Sequence, residues 1–168
     1  MPLVERVLLH VEAPASPYLR CALPLVALLL EGKRGADAER VLQEGQKNRP
    51  EQTGFAMLLA RLQVERRDTG AAIATLERSL SAAERADYHA FLAALLQREG
   101  RHAEAIDHYR RALRRAPSAV WQMGLGISLE AEKQYPEARE AFARARAANT
   151  LSPELQAFVE QRLKQMGQ

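Results

Sequence analysis

An all-α fold, a solenoid of about four helix-turn-helix repeats with a C-terminal capping helix, is predicted by three observations. The first is composition: the 168 residues include 30 Ala and 24 Leu, against 15 Val, Ile and Thr together and 9 aromatics. Ala and Leu lose little on entering a helix, whereas strands draw on β-branched and aromatic side chains. The second is a recurrence. Ala38, Ala72, Ala105 and Ala138 stand 34, 33 and 33 residues apart, and each is followed four positions later by a large apolar residue, Leu42, Leu76, Tyr109 or Phe142. The third is punctuation at the joints of that period: Gly100 before one copy and Pro117 after it, Pro50 after another, and Pro136 opening a third.

Taken in order, the helix pairs are expected at about 19–31 with 36–47, 52–66 with 70–81, 84–98 with 102–115, and 118–131 with 135–148, and no strand is expected. The corresponding organisation is a partial N-terminal repeat or leader at 1–18, four repeats at about 19–52, 53–85, 86–118 and 119–152, and a cap at 153–168. In the first helix, Pro24 removes a donor and should kink the helix or delay its start, and Cys21 reads as a small buried hydrophobe of the apolar segment 19–30. The third unit is the fullest. Leu92 and Ala93 pack its first helix, Gly100 makes the turn, Ala105 is small where two backbones nearly touch, Tyr109 and Ala112 face inward on the second helix, and Pro117 is the exit. Lys133 stands where the fourth unit should have a turn glycine. Ser152 as N-cap and Pro153 at the first helical position open the cap, whose apolar stripe is Leu155, Phe158, Val159 and Leu163. Val4, Leu8 and Val11 fit the second helix of a preceding repeat with Pro14 and Pro17 as its exit, so the chain is expected to be a fragment or a short relative of a longer protein.

Several function classes are excluded by what the residues do not spell. A single cysteine forbids an internal disulfide. The longest apolar run, residues 21–30, is about half a membrane span, and Glu5 and Arg6 interrupt the N-terminal apolar stretch, so neither a span nor a signal peptide is expected and the chain reads as soluble. The net charge of +3 comes from 24 basic residues dispersed among 21 acids, which suits solvated helix faces, and nucleic acid is not the expected partner. His10, His89, His102 and His108 have no helical i, i+3 or i+4 partners among themselves, and Gly124-Leu125-Gly126 lies inside a predicted helix, where it serves close packing rather than phosphate binding. No catalytic residue, metal or cofactor is therefore expected. Arg110, Arg111, Arg114 and Arg115 close a helix C-terminus, with Glu130, Glu132, Glu137 and Glu140 available to pair with them.

These phrases resemble the tetratricopeptide repeat (TPR), a 34-residue helix-turn-helix unit, over about residues 19–152. The resemblance implies a concave groove, lined by the first helices of successive pairs, that holds a partner segment. Carried over position by position, that groove comprises Arg20, Leu23, Ala27 and Leu30, then Met57, Arg61 and Val64, then Ala90, Ala94 and Gln97, then Met123, Ile127 and Glu130. TPR modules that clamp acidic chaperone tails present Asn and Lys where this chain has Ala27, Arg61, Ala94 and Ile127. The implied ligand is a protein or peptide, an apolar or amphipathic helix. Trp121 is a candidate anchor for it, with packing on Tyr88 or Tyr109 as the alternative.

Residues 121–130 (WQMGLGISLE), 151–163 (LSPELQAFVEQRL) and 55–62 (FAMLLARL) are also similar to the MshN family of the mannose-sensitive haemagglutinin (MSHA) pilus system. That similarity implies a bacterial inner-membrane protein with an N-terminal anchor and a periplasmic TPR domain, acting in assembly of type IV-like pili. The expected function is a non-catalytic scaffold holding a partner segment in its groove during MSHA pilus biogenesis, on the periplasmic side of the inner membrane. The alternatives are a cytoplasmic TPR adaptor and a self-associating solenoid module, a homo-oligomer with no pilus role.

Overall fold

The computed structural model describes residues 17–80 and 85–167, and no strand occurs among them. Contacts divide the chain into two compact units, one ending at residue 83 and the other starting at 84. The first holds the pairs α1 (Pro17–Glu31) with α2 (Gly35–Asn48) and α3 (Thr53–Glu65) with α4 (Thr69–Arg78). The second holds α5 (Ala86–Arg98) with α6 (His102–Arg115), α7 (Ala119–Ala131) with α8 (Tyr135–Ala147), and the closing helix α9 (Pro153–Met166). Among the described residues, no helix is long and apolar enough to cross a membrane.

Each pair is closed by the same backbone device. Lys33, Arg67, Gly100 and Lys133 have φ of 57°, 63°, 76° and 60°, in the left-handed region. The N–H of the following residue then reaches back five positions, Arg34 to the Leu29 carbonyl at 2.7 Å, and Asp68 to Gln63, Arg101 to Leu96 and Gln134 to Leu129 at 2.9 Å. This is the Schellman ending, which satisfies carbonyls that the helix leaves open. Lys133 therefore adopts the conformation of the glycine it replaces. A side chain in that conformation costs about 1–2 kcal/mol, partly offset by the extra freedom that glycine has when unfolded. Lys33→Gly, Arg67→Gly and Lys133→Gly are each expected to raise stability by about 0.5–1 kcal/mol in urea melts, and Gly100→Ala to lower it by about 1. Space is not the constraint at Gly100, where an added Cβ meets nothing within 4 Å.

Polar caps begin three of the helices. Asp68 accepts from the Ala71 N–H at 2.9 Å, Ser118 from Trp121 at 3.4 Å and Ser152 from Leu155 at 3.4 Å, the last with Pro153 at the first helical position.

The anchors of the period are the innermost residues. Ala38, Ala72, Ala105 and Ala138 have no exposed surface, and Leu42, Leu76, Tyr109 and Phe142 are buried beside them. In the first unit Val26, Leu29, Leu30, Leu42, Phe55, Leu58, Leu59 and Leu62 form one core cluster. Two readings of α1 are corrected. The helix starts at Pro17, ahead of the expected start at 19, and runs through Pro24. A proline at a first position loses only an N–H that has no helical partner. Cys21 is exposed, not buried, because it shares a face with Leu25 and Leu28, four and seven positions on, while Leu19, Val26, Leu29 and Leu30 point into the core. The reading of residues 3–12 as a preceding helix lies outside the described residues.

Candidate partner-binding face

In the second unit the candidate face is built by α5 and α7. Gln97 on α5 braces the two helices: its Nε2 donates to the Gly124 carbonyl and to Ser128 Oγ, both at 2.9 Å, and its Oε1 accepts from the Tyr109 hydroxyl at 3.2 Å. Burial pushes the Tyr109 phenol up to about 12, so it remains a donor throughout the neutral range. Glycine permits this contact. A Cβ on Gly124 would lie 2.5 Å from the Tyr109 ring, and one on Gly126 would lie 2.9 Å from the Phe142 ring. The expected roles of Tyr109 as a filler between successive pairs and of the glycines in close packing both hold.

Above this brace, Ala94 is exposed, and Met123, Ile127 and Trp121 are half-buried. Ala94 and Ile127 occupy the same repeat position, 33 residues apart. Ala90 is a core residue instead of a surface one. At the far end of α7, Glu130 accepts from Arg162 of α9 at 3.3 Å, and the same guanidinium lies 5.2 Å from the Phe158 ring. Phe158 in turn meets Phe142 edge to face at 6.3 Å, so the closing helix is held to α8 through Phe158 and to α7 through Arg162.

In the first unit the expected positions divide. Leu23, Ala27, Arg61 and Val64 are half-buried and Arg20 is exposed, but Leu30 and Met57 are core residues at 4% and 7% exposure. The reason is that the first half of α3 is apolar on every side: Phe55, Ala56, Met57, Leu58, Leu59 and Ala60 are all buried. Leu30 and Met57 are thus too deep to offer a ligand much surface.

The basic cluster also differs from expectation. Among the described residues, Arg110, Arg111, Arg114 and Arg115 form no ion pair, while Glu140 pairs with Arg144 and Glu130 with Arg162. The structure brings together two histidines that the sequence reading treats as unrelated. His89 of α5 and His108 of α6 place their Nδ1 atoms 3.1 Å apart with rings stacked at 5.4 Å. A signal was present one repeat earlier. Thr75 occupies the repeat position of His108 and donates from Oγ1 to Gln63 of α3 at 2.9 Å, so a polar residue at that position finds its partner on the first helix of its own pair. Among the described residues, no group of three His, Cys, Asp or Glu side chains is placed to hold a metal ion.

A tetratricopeptide-repeat family model matches residues 57–120 and 92–153. No curated protein matches the sequence. Several solved structures share the fold. A MamA fragment from Desulfovibrio magneticus RS-1 aligns with a TM-score of 0.72 at 14% identity, covering 90% of each chain. PilW, described as a widely conserved type IV pilus biogenesis factor, aligns at 0.66 with 15% identity over 91% of this chain and 79% of its own. The repeats of a Podosopora anserina kinesin light chain align at 0.64 with 19% identity over 94% of this chain and 87% of theirs.

Proposed function

Because the chain belongs to the tetratricopeptide-repeat family, we propose that it is a non-catalytic scaffold that holds a partner protein's segment against its first helices. The observation that carries this reading is the uncharged patch of Ala94, Met123 and Ile127, set on two helices that Gln97 locks together. An apolar or amphipathic helix suits such a face because no charge on either side is left unpaired. Within the first unit, Leu23, Ala27, Arg61 and Val64 are a proposed surface of their own, and Trp121 is the proposed anchor of the patch in the second unit. A pilus-type assembly is the proposed setting. It draws on the MshN-like stretches at residues 55–62, 121–130 and 151–163.

Ala94→Glu combined with Ile127→Glu is expected to abolish capture of the partner from a host lysate, while the unfolding free energy falls by about 1 kcal/mol, since neither side chain is fully buried. Met57→Glu does not serve here, because a charge at a core position would unfold the unit it is meant to probe. Undiminished capture by the double variant, with its melting curve intact, overturns the assignment of this face.

A second reading, self-association, is favoured by α1. Tyr18, Leu25 and Leu28 are exposed at 51%, 47% and 66%, and with Cys21 they recur at the spacing of a helix-pairing seam. Light scattering is expected to show a mass that rises with concentration and reverts to the monomer in Leu25→Glu with Leu28→Glu; a monomer at every concentration removes this reading.

A further inference from the structure

Each unit has a groove between its two second helices, lined by residues other than the partner-binding face described above. In the second unit it lies between α6 and α8 and has a volume of about 340 Å³. In the first it lies between α2 and α4, at about 570 Å³. The two linings share four repeat positions, at Gln43 and Arg110, Gln46 and Leu113, Lys47 and Arg114, and Arg78 and Arg144. Lys47 holds the repeat position of Arg114, 67 residues away, and Arg78 that of Arg144, 66 residues away, which is two repeats in each case. Two separate grooves therefore carry a cation at the same two corners.

The groove of the second unit has three further properties that define a ligand. Its apolar lining is Leu113, Leu125 and Leu129. On its rim Arg110 and Arg114 are exposed and, among the described residues, have no ion pair. Gln122, also in its lining, has a buried carboxamide oxygen with no hydrogen-bond partner. A buried acceptor left open in this way costs free energy until a donor reaches it. We infer that the groove between α6 and α8 is a docking site for a short acidic and apolar peptide segment of a partner protein. A carboxylate of the segment pairs with Arg110 and Arg114, an apolar side chain rests against the half-buried Leu113, and a backbone N–H donates to Gln122 Oε1. A nucleic-acid strand fits less well. No aromatic ring in the lining offers a base a stacking surface.

The test uses the full chain and fluorescence anisotropy with three labelled probes: a hexapeptide alternating Asp and Leu, the same peptide with Lys for Asp, and a short single-stranded DNA. The acidic peptide is expected to bind saturably and the lysine peptide not to bind. Arg110→Glu with Arg114→Glu is expected to weaken the acidic peptide at least about tenfold, as loss of paired charges at an interface does. Both arginines are exposed, so this variant keeps its melting curve. Ala94→Glu with Ile127→Glu is expected to leave the peptide's affinity unchanged, which separates this groove from the partner-binding face. The inference is overturned by absence of saturable binding, by equal binding of the lysine peptide, by binding that survives reversal of both arginines, or by DNA outcompeting the peptide at the same residues.

Discussion

Gly124→Val is expected to lower the unfolding free energy by about 1–3 kcal/mol, the range for forcing extra volume into a packed interior, and toward its upper end because the side chain is stiff. A glycine inside a helix ordinarily gains about 1 kcal/mol on becoming alanine. Here the sign reverses. The first carbon of any side chain would sit 2.5 Å from the Tyr109 ring, inside contact distance. The ring cannot retreat, since Tyr109 is 4% exposed and its hydroxyl is tied to Gln97, which in turn holds the Gly124 carbonyl and Ser128. Movement of the ring therefore breaks its hydrogen bond to the carboxamide that braces α7. Urea denaturation measures the loss directly. A double-mutant cycle assigns it: in a Tyr109→Ala background, Gly124→Ala should become neutral or stabilising, because the obstruction is gone and only helix propensity remains. A Gly124→Val protein within about 0.5 kcal/mol of the parent would mean that α7 shifts freely away from α6.

The same contact shows what a single sequence can and cannot specify. Residue type marks a position when only one type fits. Ala38, Ala72, Ala105 and Ala138 are legible because helices that approach closely tolerate nothing larger, and all four are fully buried. Gly126 is legible for the same reason, with the Phe142 ring opposite it. The left-handed turns are legible only at Gly100. Lys33, Arg67 and Lys133 adopt the same backbone against their local preference, because the hydrogen bonds that close the pair determine φ there. Repeat register also predicts which helices pair, but not how deep each side chain lies. Met57 falls at a groove position of the period, yet it stands in the stretch Phe55 to Ala60 of α3, which is apolar and buried on every side and so has no outer face to assign. Leu30 joins the core in the same way. The candidate face was accordingly easier to read in the second unit, where α5 and α7 keep Ala94, Met123 and Ile127 at or near the surface. The groove between α6 and α8 was not legible, since repeat register does not say which of the available carboxylates each arginine meets, and Glu140 and Glu130 meet Arg144 and Arg162 rather than the cluster.

Acidification from neutral pH to about pH 4.5 is expected to remove about 1–2 kcal/mol of stability through His108, after allowance for its partial exposure to solvent. Burial first, then the neighbouring His89 and Arg111, hold the His108 imidazole down from 6.5 to about 4, with Asp107 and Glu104 acting in the opposite direction. Above 6.5 the histidine is neutral whether folded or unfolded, and its contribution is intact. Between 6.5 and about 4 the unfolded chain takes up a proton that the folded chain refuses, so stability falls with pH; below about 4 both states are protonated and the loss ends. The geometry gives the reason for the refusal. One Nδ1 must donate to the other across 3.1 Å, which requires one ring to keep a bare nitrogen, and a doubly protonated pair would point two N–H groups at each other. Asp87 does not obscure this window. Burial raises its pKa, but the hydrogen bond and charge of Arg85 hold it below 3.8 on balance, so its contribution is lost only at lower pH. Urea melts at about pH 7.5, 6 and 4.5 should show a steeper decline for the parent than for His108→Gln, whose side chain cannot titrate. Parallel declines in the two proteins would show that the histidine pair has no part in acid sensitivity.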